Sequence, residues 1–192
     1  MHHPISRRGF LAGSSAALVA LASSSPDAAA AVTHNQDFRS RFISLRVAHP
    51  VPSVAIPLIN NKSIDLTAFR GSRVIVNFWA TWCPGCRQEL PALQGLAAKQ
   101  LPGLKIVAIA ADREPPRKIT EFAKGLGLSK LAIGLAPESL INRKDSEQLS
   151  PFVLYAMPIT YIIGKSGAVE GYFLGQIDWS GDEALTFIER FN

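Results

Sequence analysis

Two cysteines three residues apart stand between an apolar run and a helix-like segment, and that order of parts is the strongest constraint on the fold. The run is Arg73-Val74-Ile75-Val76-Asn77-Phe78, charged at its start and otherwise almost wholly apolar. A strand buried on both faces has that pattern. Cys83 and Cys86, the only two cysteines of the chain, follow within Trp79-Ala80-Thr81-Trp82-Cys83-Pro84-Gly85-Cys86. Beyond them, Leu90, Leu93 and Ala97 share one helical face with Cys86. Such a pair can close a redox disulfide, supply half a zinc site or attach a haem. Zinc needs two further Cys or His ligands, yet no other cysteine exists and no histidine occurs after His49. Haem attachment needs a histidine directly after the second cysteine, where Arg87 stands. The context favours redox chemistry over metal binding.

The first residues suggest where that chemistry takes place. Arg7 and Arg8 precede an apolar stretch from Phe10 to Ala22, and small residues follow up to Ala28-Ala29-Ala30-Ala31. A basic start, a short apolar middle and a small-residue end make an export signal. The stretch falls short of the roughly 20 apolar residues of a membrane span. The paired arginines followed by Phe10 and Leu11 resemble a twin-arginine signal. Residues 1–31 are therefore expected to be the signal, cut near Ala30 or Ala31, with the mature protein in the periplasm. A retained anchoring helix is the alternative. In an oxidising compartment disulfides form freely, but one closing so short a loop constrains little of the unfolded chain. The pair is there for chemistry rather than as a staple.

The remaining residues suffice for one domain. The whole chain carries a net charge of +5. Its basic residues are scattered, without the basic block or aromatic-basic stripe of a nucleic-acid binder. Residues 32–50 read as an exposed lead-in and 51–192 as the folded domain. Ser53–Leu58 and Ser63–Leu66 flank the turn residues Asn60 and Asn61 and predict a small hairpin. Further strands are expected at 73–78, 104–110 and 131–135, and an antiparallel pair at 157–163 and 168–174. Pro115-Pro116 opens a second helix, ended by Gly125 and Gly127. Ser180-Gly181-Asp182-Glu183 predicts a capping box for a last one. Residues 136–154 carry no clear pattern.

The segments "LTAFRGSRVIVNFWA", "NFWATWCPGC" and "MPITYII" together resemble the exported TlpA/ResA/CcmG-like branch of thiol-disulfide oxidoreductases on the thioredoxin fold. The resemblance spans about residues 50–191 and departs at Ile159 and Gly164 and over 137–156. It implies an α/β fold, with a central mixed sheet flanked by helices, an added N-terminal hairpin and a central insertion. It implies a disulfide reductase without cofactor or metal, taking electrons from a membrane thiol donor. Oxidised periplasmic proteins, such as apocytochromes c or copper-site proteins, would receive them. A copper chaperone on the same fold, or a general disulfide oxidase or isomerase, are the competing readings. Copper chaperones of that kind add a distant histidine, and none lies downstream of Cys86.

Roles follow from the residues and from that resemblance. Cys83 begins the helix, where free backbone donors and the helix dipole favour a thiolate. It is the expected nucleophile, with Cys86 resolving the mixed disulfide. Pro84 and Gly85 shape the turn between them. Glu89, three residues after Cys86, matches a glutamate of the family's active site, whereas Asn77 replaces the buried aspartate of ordinary thioredoxins. Glu89 is expected to exchange protons with the cysteines; an exposed glutamate near Arg87 is the plain alternative. Pro158 matches the family's cis-proline, which would present the Met157 backbone to an extended substrate. Trp82 and Pro84 are expected on the docking surface, and Trp79 in the packing beneath it.

Overall fold

A computed structural model describes residues 38–141 and 151–190; the expected export signal lies outside the described residues. A short 3-10 turn, Phe38–Arg41, leads into strand β1, Ile43–Pro50. Strands β2, Ile56–Pro57, and β3, Ser63–Ile64, pair as an antiparallel hairpin. A 3-10 turn at Leu66–Phe69 precedes β4, Arg73–Trp79, and helix α1, Pro84–Ala98. Then come β5, Leu104–Ala110, helix α2, Pro116–Gly125, and β6, Ala132–Leu135. Strands β7, Ile159–Ile163, and β8, Ala168–Leu174, form the antiparallel pair, and helix α3, Asp182–Arg190, follows.

The sheet has six strands in the order β1-β8-β7-β4-β5-β6. β4 runs parallel to β5, and β5 to β6. The pairs β4–β7, β7–β8 and β1–β8 are antiparallel. This is the expected thioredoxin-like arrangement, a mixed sheet with helices and an extra hairpin. β4 sits inside the sheet and its side chains alternate between two cores. Ile75 and Trp79 join Leu90 and Leu93 of α1, Ile119 of α2 and Phe187 of α3. Val74, Val76 and Phe78 join Ile56 of the hairpin, Leu66, Leu140 and Phe152 on the opposite face. Helices therefore cover one face, while the hairpin and short turns cover the other.

Local signals explain most boundaries. Pro84 and Pro116 stand in the first turns of α1 and α2, where a missing N–H costs nothing. α2 ends with Gly127 at φ +69° and the Leu128 N–H bonded to the Ala123 carbonyl at 3.0 Å, a left-handed helix stop. At the edge strand β6, Gly134 bridges to Leu58. A Cβ there would lie 2.9 Å from Ile56 Cγ2, so glycine lets the hairpin close on that edge.

Two expectations are corrected. The segment read as an exposed lead-in contains β1, an edge strand paired with β8, and Phe38 ahead of it is buried. Most β1 side chains are exposed on both faces, so the strand lacks the apolar alternation that would announce it. The capping box at 180–183 does not form. Both the N–H and hydroxyl of Ser180 donate to Asp178 Oδ1, at 2.9 and 2.5 Å. Glu183 instead accepts the Phe38 N–H at 3.2 Å, tying the start of the described chain to α3.

Phe38 packs against Phe173, Trp179 and Phe187, with ring centroids 4.9–5.4 Å away. Phe38→Ala should therefore cost about 3 kcal/mol in urea unfolding, the usual penalty for emptying an aromatic site. Val47→Thr, on the exposed side of β1, should stay within about 0.5 kcal/mol of wild type.

Candidate active site

The cysteines lie where β4 runs out and α1 begins. The Trp79 carbonyl still accepts the Ala111 N–H at 2.8 Å, so the sheet holds the strand to its last residue. Asp112, just beyond β5, accepts the Thr81 N–H at 2.7 Å and pins the turn. Cys83 caps α1 in an extended conformation, and its sulfur accepts the Cys86 N–H at 3.2 Å. No acidic residue occupies the first turn of α1, so the positive end of the helix dipole acts on the Cys83 sulfur unopposed. The two sulfurs are joined in a disulfide, with Cα atoms 5.3 Å apart. Cys83 is 2% exposed and Cys86 is fully buried, so only Cys83 offers solvent any surface.

Around this turn the structure gathers residues from distant segments. The Met157–Pro158 bond is cis. Pro158 lies against Gly85: a Cβ on that glycine would approach Pro158 Cδ to 3.3 Å and Gln176 Cβ to 3.7 Å. Trp82 is 67% exposed, Pro84 is exposed and Met157 is half-buried, so an open apolar surface borders the disulfide. Trp79 is buried and stacks on Phe122 at 5.3 Å, beneath the site. Arg87 lies over the Phe122 ring, its guanidinium carbon 5.1 Å from the centroid. Arg87 also donates to the Thr81 carbonyl at 3.1 and 3.3 Å, and so braces the turn.

Glu89 is buried, on the same inward face of α1 as Cys86. It makes no partnership with Arg87. Trp179 Nε1–H donates to Oε1 at 2.6 Å, and Asn77 Nδ2–H donates to Oε2 at 3.2 Å. The Asn77 amide also donates to the Thr160 hydroxyl at 2.8 Å. Burial pushes the Glu89 carboxyl up to about 7, and bonds from Trp179, Asn77, the Ile177 N–H and Thr160 keep it from rising further. A neutral amide at residue 77 suits this neighbour, since a second carboxylate at that distance would repel it.

Of the residues expected at the site, the structure places Glu89 one turn along α1 from the Cys83–Cys86 pair and Pro158 against the Gly85 between them. The sequence did not single out Trp179, Thr160, Asp112 or Gln176, which lie around them. Trp179 stands in a loop ninety residues from Glu89, and no periodicity links the two. Thr160 reads as one more residue of a buried strand. Among the described residues, no group of three or more His, Cys, Asp or Glu side chains is arranged to hold a metal.

The Glu89 environment has a measurable consequence. The folded protein holds the carboxyl proton up to about pH 7, whereas the unfolded chain releases it near 4.5. Between those values the folded state binds more protons, so stability falls as pH rises through that window. The disulfide form should lose about 2 kcal/mol in urea unfolding between pH 5 and pH 8. Glu89→Gln should flatten that slope; a variant retaining it would place the titrating group elsewhere.

Comparison with known proteins agrees with this geometry. The AhpC/TSA family model matches residues 47–171. The thiol-disulfide oxidoreductase ResA of Geobacillus thermodenitrificans is 28% identical over 149 residues, covering 77% of this chain and 80% of that protein. The thioredoxin-like protein YneN of Bacillus subtilis is 24% identical over 142 residues, 73% of this chain and 78% of its own. A thiol:disulfide interchange protein of the thioredoxin family from Chlorobium tepidum shares the fold with a TM-score of 0.61 and 24% identity. The match covers 77% of this chain and 99% of that one. The chain belongs to the AhpC/TSA family, as a thioredoxin-like thiol-disulfide oxidoreductase built around Cys83 and Cys86.

Proposed function

We propose that this protein is an exported disulfide reductase, which passes electrons from a membrane thiol donor to oxidised partner proteins outside the cytoplasm. The observation carrying the reading is Glu89, a buried carboxyl that titrates near neutrality on the same helix face as Cys86. A resolving thiol buried in apolar surroundings needs a proton acceptor before it can attack. Glu89, buried three residues along α1 from Cys86, supports the reading as that acceptor.

In the reducing direction, the Cys83 thiolate attacks a substrate disulfide. A Cys83–substrate bond forms and one substrate thiolate leaves. Cys86 then gives its proton to the Glu89 carboxylate and attacks Cys83, closing the internal disulfide and releasing the second substrate thiolate. That leaving thiolate is protonated from Glu89 or water. Two electrons pass from protein to substrate, and the membrane donor restores the dithiol by the reverse exchange. Trp82, Pro84 and Met157 form the apolar docking surface, where Pro158 presents the Met157 backbone to an extended substrate segment. Arg7 and Arg8 support export, and extracytoplasmic proteins awaiting reduced thiols, apocytochromes c or copper-site proteins among them, are the proposed partners.

A Cys86→Ser variant expressed in the native host should accumulate mixed disulfides through Cys83, identifiable by mass spectrometry. Recovery of a thiol-bearing membrane protein and a few exported substrates is the expected result. In glutathione buffers a reductase of this kind keeps its cysteines largely as the disulfide, because its dithiol is the stronger reductant. A pair reduced by traces of glutathione would instead mark a disulfide-forming oxidase and reverse the direction of electron flow.

A further inference from the structure

Trp179 lies in the loop between β8 and α3 and is fully buried. An indole nitrogen can only donate, and this one lies 2.6 Å from the Glu89 carboxyl, closer than the Asn77 amide at 3.2 Å. The ring has little freedom to turn away. Phe38 and Phe173 meet it edge-on, with centroids 5.4 and 5.6 Å distant. Arg41 holds the preceding loop from outside by donating to the Leu174 and Gln176 carbonyls, at 3.3 and 2.8 Å. Asn77 meets the other carboxyl oxygen from β4. Glu89 is thus gripped at both oxygens by donors from separate parts of the fold, and the donor on Oε1 is itself clamped.

We propose that Trp179 is a positioning residue for disulfide exchange, its indole N–H holding the Glu89 carboxyl in the orientation from which it takes the Cys86 proton. The inference rests on the proton role given to Glu89 above. A donor to the ionised carboxylate stabilises that form. The indole therefore keeps a working fraction of Glu89 ready to accept a proton below neutral pH. A tryptophan that merely fills the core would stabilise the fold without touching the proton balance.

Trp179→Phe retains the ring and removes the donor. Stopped-flow reaction of the reduced protein with dithiobis(nitrobenzoate) separates the two thiols. The first coloured thiolate reports attack by Cys83, and the second reports attack of Cys86 on the mixed disulfide. Followed from about pH 5 to pH 9, the second phase should speed up through the Glu89 titration in wild type. In Trp179→Phe this rise should move to higher pH, with release about tenfold slower near pH 6 and the first phase little changed. In Glu89→Gln, adding Trp179→Phe should change nothing further. Superimposable wild-type and Trp179→Phe profiles, or an equal shift in the Glu89→Gln background, would overturn the proposal. If Glu89→Gln alone left the wild-type profile intact, the proton role itself would fail, and the inference with it. A second measurement needs no tryptophan variant: the Trp179 Nε1–H resonance should titrate near pH 7 in wild type and be flat in Glu89→Gln. A resonance that behaves alike in both would also overturn it.

Discussion

A carboxyl group taken out of water must be met by donors, and at Glu89 those donors come from three separate stretches of chain. Asn77 reaches it from the central strand, Thr160 from the neighbouring strand, and Ile177 and Trp179 from the loop before α3, while Glu89 itself rides on α1. The requirement joins the helix that carries the cysteines to the strands beneath and the loop beside it. An ionised carboxylate left alone there would cost several kcal/mol. The network limits that cost without abolishing it, and the remainder leaves the group able to change protonation near neutral pH. A fully satisfied carboxylate would stay ionised and an unsatisfied one would stay protonated. Proton exchange needs the intermediate case.

The same economy of placement runs through the rest of the site. Asp112 and Arg87 hold Thr81 from opposite sides, one at its N–H and the other at its carbonyl. The turn before Cys83 is therefore fixed at its backbone, and Trp82 beside it is free to remain exposed. Rigid backbone with an open side chain is what an exchange site requires. On the proposed reading, the sulfur stays positioned while a partner protein docks against the apolar surface beside it.

Much of this was legible in the chain because it rests on short-range order. Val74 to Phe78 announce a buried strand, Pro84 announces a helix start, and the step from Cys86 to Glu89 is one helical turn. The hairpin at 56–64 showed itself through Asn60 and Asn61. What could not be read depends on partners far apart in sequence. The value of Trp179 lies in an atom of Glu89, and that of Asp112 in the N–H of Thr81. β1 escaped for another reason. An edge strand with both faces largely wet has no hydrophobic period, and it is its pairing with β8, at Tyr172 and Gly171 and again at Val169 and Ala168, that makes it a strand.

The contact between Gly85 and Pro158 bears on how this redox couple can be varied. The two residues between the cysteines are a usual place to alter the driving force of such a pair, yet they are not equivalent here. A side chain at 85 would require the proline to yield by a few tenths of an ångström, next to the surface on which substrates would settle. Residue 84 faces solvent and meets no such wall. Substitution therefore acts differently at the two positions: a side chain at residue 85 presses on Pro158, while a change at residue 84 alters the exposed surface beside Cys83.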